Sequence, residues 1–239
     1  MTIHKVTIIT GANQGIGAGL VAGYRRREWA VVASARIIKP SQDPDLLTVA
    51  ADITEPATAD RIVDSALERF GRIDTLVNNA GAFISKPFTD YTAADYATVV
   101  DVNLTGSFWL TQRAIAEMAA RYGGHVVNVS ATSAEDSGTP AVLAALTKGG
   151  LAAATRALAI EYAALGIRVN AVSPGAIQTP EEAADSCVGL DGRPSPLGRV
   201  GQISDVVDGV LFLESSPYIT GEILHIDGGQ SAGHSDPLG

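Results

Sequence analysis

The sequence predicts an α/β fold in which a doubly wound, mostly parallel seven-stranded sheet carries helices on both faces. Two observations support this expectation. Short β-branched apolar runs alternate with longer helical stretches along most of the chain, the pattern of repeated βαβ units. A glycine-rich stretch, Thr10-Gly11-Ala12-Asn13-Gln14-Gly15-Ile16-Gly17, stands directly between the first strand-like run and the first helix.

The elements follow in order. Val6–Ile9 reads as a strand and a helix starts at about Gly15; strands follow at Val31–Ala33 and Leu47–Val49. A helix spans about Ala57 to Phe70, and Thr75–Val77 is the next strand. One long helical zone runs from about Ala93 to Ala120, before a strand at His125–Val129. A second long helix runs from about Pro140 to Leu165, then a strand at Arg168–Val172, a helix around Ser204–Glu214 and a last strand at Ile223–Ile226. Between Arg36 and Leu46 stand Pro40 and Pro44, with too few residues for a crossover helix, so a loop is expected there.

Of 239 residues, 46% are hydrophobic and 18% charged, which suits a packed core and excludes extensive disorder. We read residues 1–232 as one dinucleotide-binding domain and 233–239 as a loose, flexible tail. The net charge of −9 argues against nucleic acid and anionic membrane as partners. Small anionic ligands remain compatible, because backbone amides can bind phosphate without a basic surface. The one cysteine, Cys187, rules out an internal disulfide and has no neighbours at metal-ligand spacing, so no metal site is expected. No leader is visible, and Lys148, Arg156, Glu161 and Arg168 interrupt the alanine-rich stretches that might otherwise span a membrane. The expected location is cytoplasmic.

In the glycine stretch, the glycines let the chain turn sharply and approach a pyrophosphate, whose charge meets the exposed amides at the start of the helix. This is the Rossmann-type arrangement. Further pieces fall in order: Asp52-Ile53 after the third strand, Asn78-Asn79-Ala80-Gly81 after the fourth, then Asn103 and Lys148, and Pro174-Gly175-Ala176-Ile177-Gln178-Thr179 after the sixth. With these motifs the sequence resembles the short-chain dehydrogenase/reductase family, over essentially its whole length to Asp227-Gly228-Gly229. The resemblance implies that Asp52 and Ile53 contact the adenine and that Asn79, Ala80 and Gly81 border the adenosine and ribose. It implies too that Pro174, Gly175, Ile177 and Thr179 hold the nicotinamide end. The second strand closes on Ala33-Ser34-Ala35-Arg36, with an arginine and no acid, which favours NADP(H) over NAD(H). Asn13 and Gln14 stand where some NADP enzymes place a basic residue.

In the resembled family a tyrosine four residues before the helix lysine donates a proton, and a serine thirteen residues before the tyrosine orients the carbonyl. Counting back from Lys148 reaches Ala144 and Ala131. None of the six tyrosines lies between positions 122 and 162, and Tyr162 would stand about 21 Å beyond Lys148 along a helix. Ser130 or Ser133 are the candidates to replace the serine. Asn103 and Lys148 remain as catalytic candidates, with Lys148 also binding the nicotinamide ribose. Thr132, Ser133, Glu135, Asp136 and Ser137 are candidate proton relays.

The expected activity is NADP(H)-preferring oxidoreduction, with hydride passing to a small carbonyl, quinone or imine-like substrate. Two other readings stay open: a non-catalytic dinucleotide-binding sensor or scaffold, and an inactivated form of an ordinary ketone reductase. The segment from Pro180 to Arg199 is expected to act as a lid. Phe83, Tyr91, Tyr96 and Trp109 are aromatic candidates for either the pocket or the core, with the core favoured. The alanine-rich outer faces of the two long helices suggest a homo-oligomer, dimer or tetramer.

Overall fold

A computed structural model describes residues 4–121, 123–132, 141–179 and 195–233. Its first half runs β1 (Val6–Thr10), α1 (Gly15–Arg26), β2 (Ala30–Ala35), β3 (Leu46–Ala50), α2 (Thr58–Phe70) and β4 (Thr75–Asn78). Next come α3 (Ala93–Val100), a π-helical stretch (Asp101–Thr105), α4 (Gly106–Ala119), β5 (Gly124–Val129) and α5 (Val142–Tyr162). The chain closes with β6 (Ile167–Pro174), β7 (Ile177–Gln178), β8 (Gly201–Gln202), α6 (Ile203–Ser215) and β9 (Ile223–Ile226). Beyond Gly233 the expected loose tail lies outside the described residues.

Seven strands form one sheet in the order β3-β2-β1-β4-β5-β6-β9, and every adjacent pair is parallel. The sheet is therefore wholly parallel, where the sequence predicts mostly parallel. Chain order reverses between β1 and β4, so the carboxyl ends of these two strands flank the switch point where such sheets bind ligands. No helix separates β2 from β3, as the two prolines lead one to expect.

Parallel strands covered on both faces read as near-continuous apolar runs, and successive residues go to opposite sides. Ile8, Val32, Leu76 and Val126 pack with Ile62 and Val63 of α2 and Leu110 and Ala114 of α4. Ile9, Val31, Val77 and Val127 pack on the other face with Leu20 and Tyr24 of α1 and Val206 and Val210 of α6. Together these two layers hold the strand ends that carry the site.

Three expectations need correction. The zone from 93 to 120 is not one α-helix: its hydrogen bonding widens to a π turn over Asp101–Thr105, which buries Asn103. Phe83, Tyr96 and Trp109 do not enter the core but stand 53%, 54% and 46% exposed. Residue type alone carries no information on which way a helix turns its face. Tyr91, the fourth, instead staples a surface loop, its hydroxyl donating to the Ile84 carbonyl at 2.8 Å.

By length and composition, Val142–Leu165 is apolar enough to cross a membrane. In this fold the helix lies against the sheet, with Ala159 in the core and the Thr155 hydroxyl accepting from Asn128 Nδ2 at 2.9 Å.

Near the amino ends of the strands a buried polar group joins four elements. Glu214 Oε2 accepts from His125 Nδ1 (3.0 Å), Thr75 Oγ1 (2.9 Å) and Tyr24 Oη (3.2 Å). On its other side His125 Nε2 faces two donors, Asn170 Nδ2 at 3.0 Å and Arg168 Nη1 at 3.4 Å. This pattern fits a neutral imidazole protonated at Nδ1, because a second ring proton would point at donors. Burial accordingly holds the His125 pKa below its ordinary value, against the pull of Glu214. Desolvation raises Glu214, but the hydrogen bonds from His125 and Thr75 and the charge of Arg168 bring it below the usual glutamate value. Both shifts have the same sign for folding: as pH falls below about 6.5 and then below about 4.5, the unfolded chain takes up protons that the folded chain refuses. Stability present at pH 7.5 is therefore lost on acidification, with Tm falling about 2–4 °C for each kcal/mol. Thermal melts at pH 7.5 and 5.5 should show this fall, and it should shrink in His125→Gln.

Candidate functional site

The exit of β1 sets the geometry. Gly11 and Gly15 adopt left-handed φ values of +62° and +53°, conformations that favour glycine. A Cβ on Gly17 would drive into the Gly11 carbonyl oxygen and stand 2.7 Å from Asn79 Nδ2, so only glycine lets α1 begin so close to the turn. Gln14 caps α1 in an extended conformation without a side-chain hydrogen bond, and the first turn carries no acid. The first amides of α1 are thus left without the side-chain partner that helix starts commonly have. Asn13 and Gln14 are exposed beside them.

At the switch point the β4 exit is tied to this turn. The Thr10 hydroxyl accepts from the backbone amides of Asn79 and Ala80, both at 3.0 Å. Asn79 Nδ2 donates to the carbonyls of Thr10 (2.9 Å) and Gly11 (3.2 Å). Thr10 opens the glycine-rich stretch, but the sequence reading gives it no role of its own. Asn79 holds the glycine loop in shape, and Gly81 is exposed at the rim.

To one side, Asp52 Oδ1 accepts from the Thr54 amide (3.0 Å) and hydroxyl (2.8 Å). Those bonds lower its pKa, with a smaller contribution from the charge of Arg36 at the end of β2. Arg36 is exposed, so a positive charge and a carboxylate meet at this edge. Ile53 is half-buried, and Gly106 is required because a Cβ there would stand 2.5 Å from Ile53 Cγ1.

On the other side of the switch point, α5 presents Lys148. Its ammonium donates to the Val129 carbonyl at the end of β5, 2.7 Å away. Part of the residue reaches solvent, but desolvation of the charged end lowers its pKa to about 8. A methyl group on Gly81 would stand 3.5 Å from this nitrogen and 3.6 Å from Asn103 Oδ1, which places all three residues at one spot. Asn103 accepts from the Ala82 amide (2.8 Å) and donates to the Ala82 carbonyl (3.1 Å) and to Thr147 Oγ1 (3.0 Å). Thr147, a second residue the sequence reading passed over, thereby links the π turn to α5.

The candidate hydroxyls fall as follows. Ser130 is buried and donates to the Lys148 carbonyl at 3.3 Å. Thr132 donates to the Ser173 carbonyl at 3.1 Å and stands 3.4 Å from Asp227 Oδ2. Ser133, Glu135, Asp136 and Ser137, with Cys187, lie outside the described residues. Ala144 is buried at 4% exposure and Ala131 is half-buried.

At the β6 exit, Pro174 is the last strand residue, not the first of the following loop. Gly175 is packed so tightly that a Cβ would stand 2.9 Å from the Asp227 backbone. Ile177 is buried and paired with Gly201. Thr179 approaches the glycine loop, its methyl 3.7 Å from where a Gly15 Cβ would be, and with Gln178, Gln202, Ile203 and Ser204 it lines an open recess of about 360 Å³. From Pro180 to 194 the expected lid lies outside the described residues.

A family model described as Enoyl-(Acyl carrier protein) reductase matches residues 11–231. The chain belongs to the short-chain dehydrogenase/reductase family. Among its relatives, the L-fucose dehydrogenase of Bos taurus is 33% identical over 98% of this chain and 92% of its own length. Among solved structures, ElxO with NADP bound superposes with a TM-score of 0.88 at 27% identity, covering 96% of this chain and all of that one. A 3-ketoacyl-(acyl-carrier-protein) reductase from Brucella melitensis, complexed with NADH, gives a TM-score of 0.87 at 30% identity over the same shares. Along the carboxyl edge of the sheet, Arg36 and Asp52 follow β2 and β3 on one side of the glycine loop, and Lys148 reaches the end of β5 on the other.

Proposed function

We propose that this chain is a nicotinamide-dinucleotide-dependent oxidoreductase in which Ala144 and Ala131 occupy the positions of the family's tyrosine and serine. The reading is carried by the glycine cradle at the switch point, which leaves the α1 amides open to a pyrophosphate and sets Lys148 and Asn103 across the same opening. The residues fit the dinucleotide. Gly11, Gly15 and Gly17 with the start of α1 hold the phosphates, Asp52 and Ile53 hold the adenine, and Asn79, Ala80 and Gly81 border the ribose. Pro174, Gly175, Ile177 and Thr179 hold the carboxamide end. When bound, the cofactor supplies or accepts a hydride.

Arg36 is exposed at the end of β2, where its guanidinium can meet a 2′-phosphate. NADP(H) is therefore the preferred form, and the substrate class is small carbonyls, quinones or imine-like acceptors. We further assign the protein to the cytoplasm. Self-association is proposed through the outer faces of α4 and α5, where Phe108, Trp109, Leu146 and Ile160 are exposed.

Two measurements test this. Fluorescence titration with NADPH and NADH should show binding, tighter for NADPH, and loss of reduced-cofactor absorbance should follow addition of a quinone or ketone. Binding without turnover for any acceptor would point to the sensor reading, and no binding would exclude both. Arg36→Asp should shift the NADPH-to-NADH affinity ratio toward NADH by roughly 10- to 100-fold, as expected for loss of a charge-assisted phosphate contact.

A further inference from the structure

Among the described residues, Lys148 is a cation without a counterion. Among the described residues its ammonium has one acceptor, the neutral Val129 carbonyl, and no carboxylate acts on it. An ammonium carries three donors, so two are left that the described residues do not engage. Gly81 borders the ammonium on that side without covering it, since even a methyl group there would stand only in ordinary contact, 3.5 Å from the nitrogen. Ala144 lies one helical turn before Lys148 on α5, a separation that puts the two side chains on one face about 6 Å apart.

The neighbouring groups are already committed. Ser130 donates to the Lys148 carbonyl, Thr132 donates to Ser173, and Asn103 is held by both backbone groups of Ala82 and by Thr147. Among the described residues, Lys148 alone at this spot keeps protons to give.

Resting on the proposed hydride transfer, we propose that Lys148 is itself the proton donor to the substrate oxygen, occupying with its ammonium the space over Ala144. As hydride reaches the carbonyl carbon, the C=O π pair moves to oxygen, an N–H bond of Lys148 breaks and the O–H bond of the alcohol forms. The lysine is left neutral, held by the Val129 carbonyl, and regains its proton from water. A desolvated ammonium is a stronger acid than an ordinary lysine, which suits it to this step near neutral pH. Asn103 is a positioning residue, fixing the strand-end backbone at Ala82 beside the ammonium.

The test compares two acceptors, ethyl acetoacetate, whose reduction needs a proton at oxygen, and p-benzoquinone, whose reduced anion leaves without one. At saturating NADPH, Lys148→Met should lower kcat for the ketone by at least about 10²-fold more than for the quinone. In the wild type the ketone rate, but not the quinone rate, should fall as pH rises through about 8. Lys148→Arg, which keeps the charge but holds its proton, should stay impaired with the ketone, and this variant and the wild-type pH profile decide the matter if Lys148→Met does not fold. In the protein without dinucleotide, the lysine ¹⁵N resonance missing from Lys148→Met should titrate near 8. Equal losses with both acceptors, or a flat ketone profile, would overturn the assignment while leaving the oxidoreductase reading intact. Dinucleotide binding without reduction of either acceptor would overturn that reading and this proposal together.

Discussion

Gly17→Ala should abolish dinucleotide binding, weakening NADPH affinity by at least about 10²-fold and lowering stability by about 1–3 kcal/mol. The added methyl meets the Gly11 carbonyl and Asn79 Nδ2, backbone and amide atoms that already bond to one another at 3.2 Å. Nothing flexible lies in its path, so either the β1 turn or the start of α1 must move, and overpacked sites of this kind cost stability in that range. The same shift removes the close approach that a pyrophosphate needs. Gly149→Ala is the internal comparison. A Cβ there meets nothing within 4 Å, and replacing a helical glycine by alanine stabilises by about 0.5–1 kcal/mol. Thermal melting of the two variants should therefore move in opposite directions, and fluorescence titration should show weakened binding in Gly17→Ala alone. Equal affinity in Gly17→Ala and wild type would remove the glycine loop from the binding site.

Ala144→Tyr combined with Ala131→Ser should raise kcat/KM for ketones by about 10²-fold. That is the lower end of what a positioned acid contributes, since Lys148 already serves the same oxygen. The phenol would enter one turn before the ammonium, which would in turn favour its ionisation. Ala144 is 4% exposed, so the ring has to displace its cover, and a lower Tm should accompany the gain. Steady-state kinetics with ethyl acetoacetate, alongside a thermal melt, check both. A folded double variant with no gain would show that position 144 does not face the substrate.

Much of this architecture is legible from residue order. β-Branched runs such as Val6–Ile9 and His125–Val129 announce strands because side chains buried on both faces leave no room for polar alternation. Pro40 and Pro44 announce the missing crossover, and the glycine loop announces its own turn. What escapes the sequence depends on atoms brought together from a distance. The acceptor of Lys148 is a backbone carbonyl 19 residues earlier, and every residue has one of those. His125 and Glu214 are 89 residues apart and look like ordinary surface residues until the sheet and α6 close over them. The exposure of Trp109 and Tyr96 depends on the rotation of helices whose apolar faces are broad, and the π turn has no local mark.

That π turn absorbs a surplus residue. Five residues occupy a stretch of backbone that an α-helix would span with fewer, so the extra residue bulges outward while α4 keeps its face to the sheet. Deleting one residue between 101 and 105 would restore ordinary winding and leave Leu110, Ala114, Ile115 and Met118 in the core. What it would remove is the bulge that holds Asn103 against Ala82 and Thr147. A single codon lost here would cost the molecule its asparagine while sparing its core.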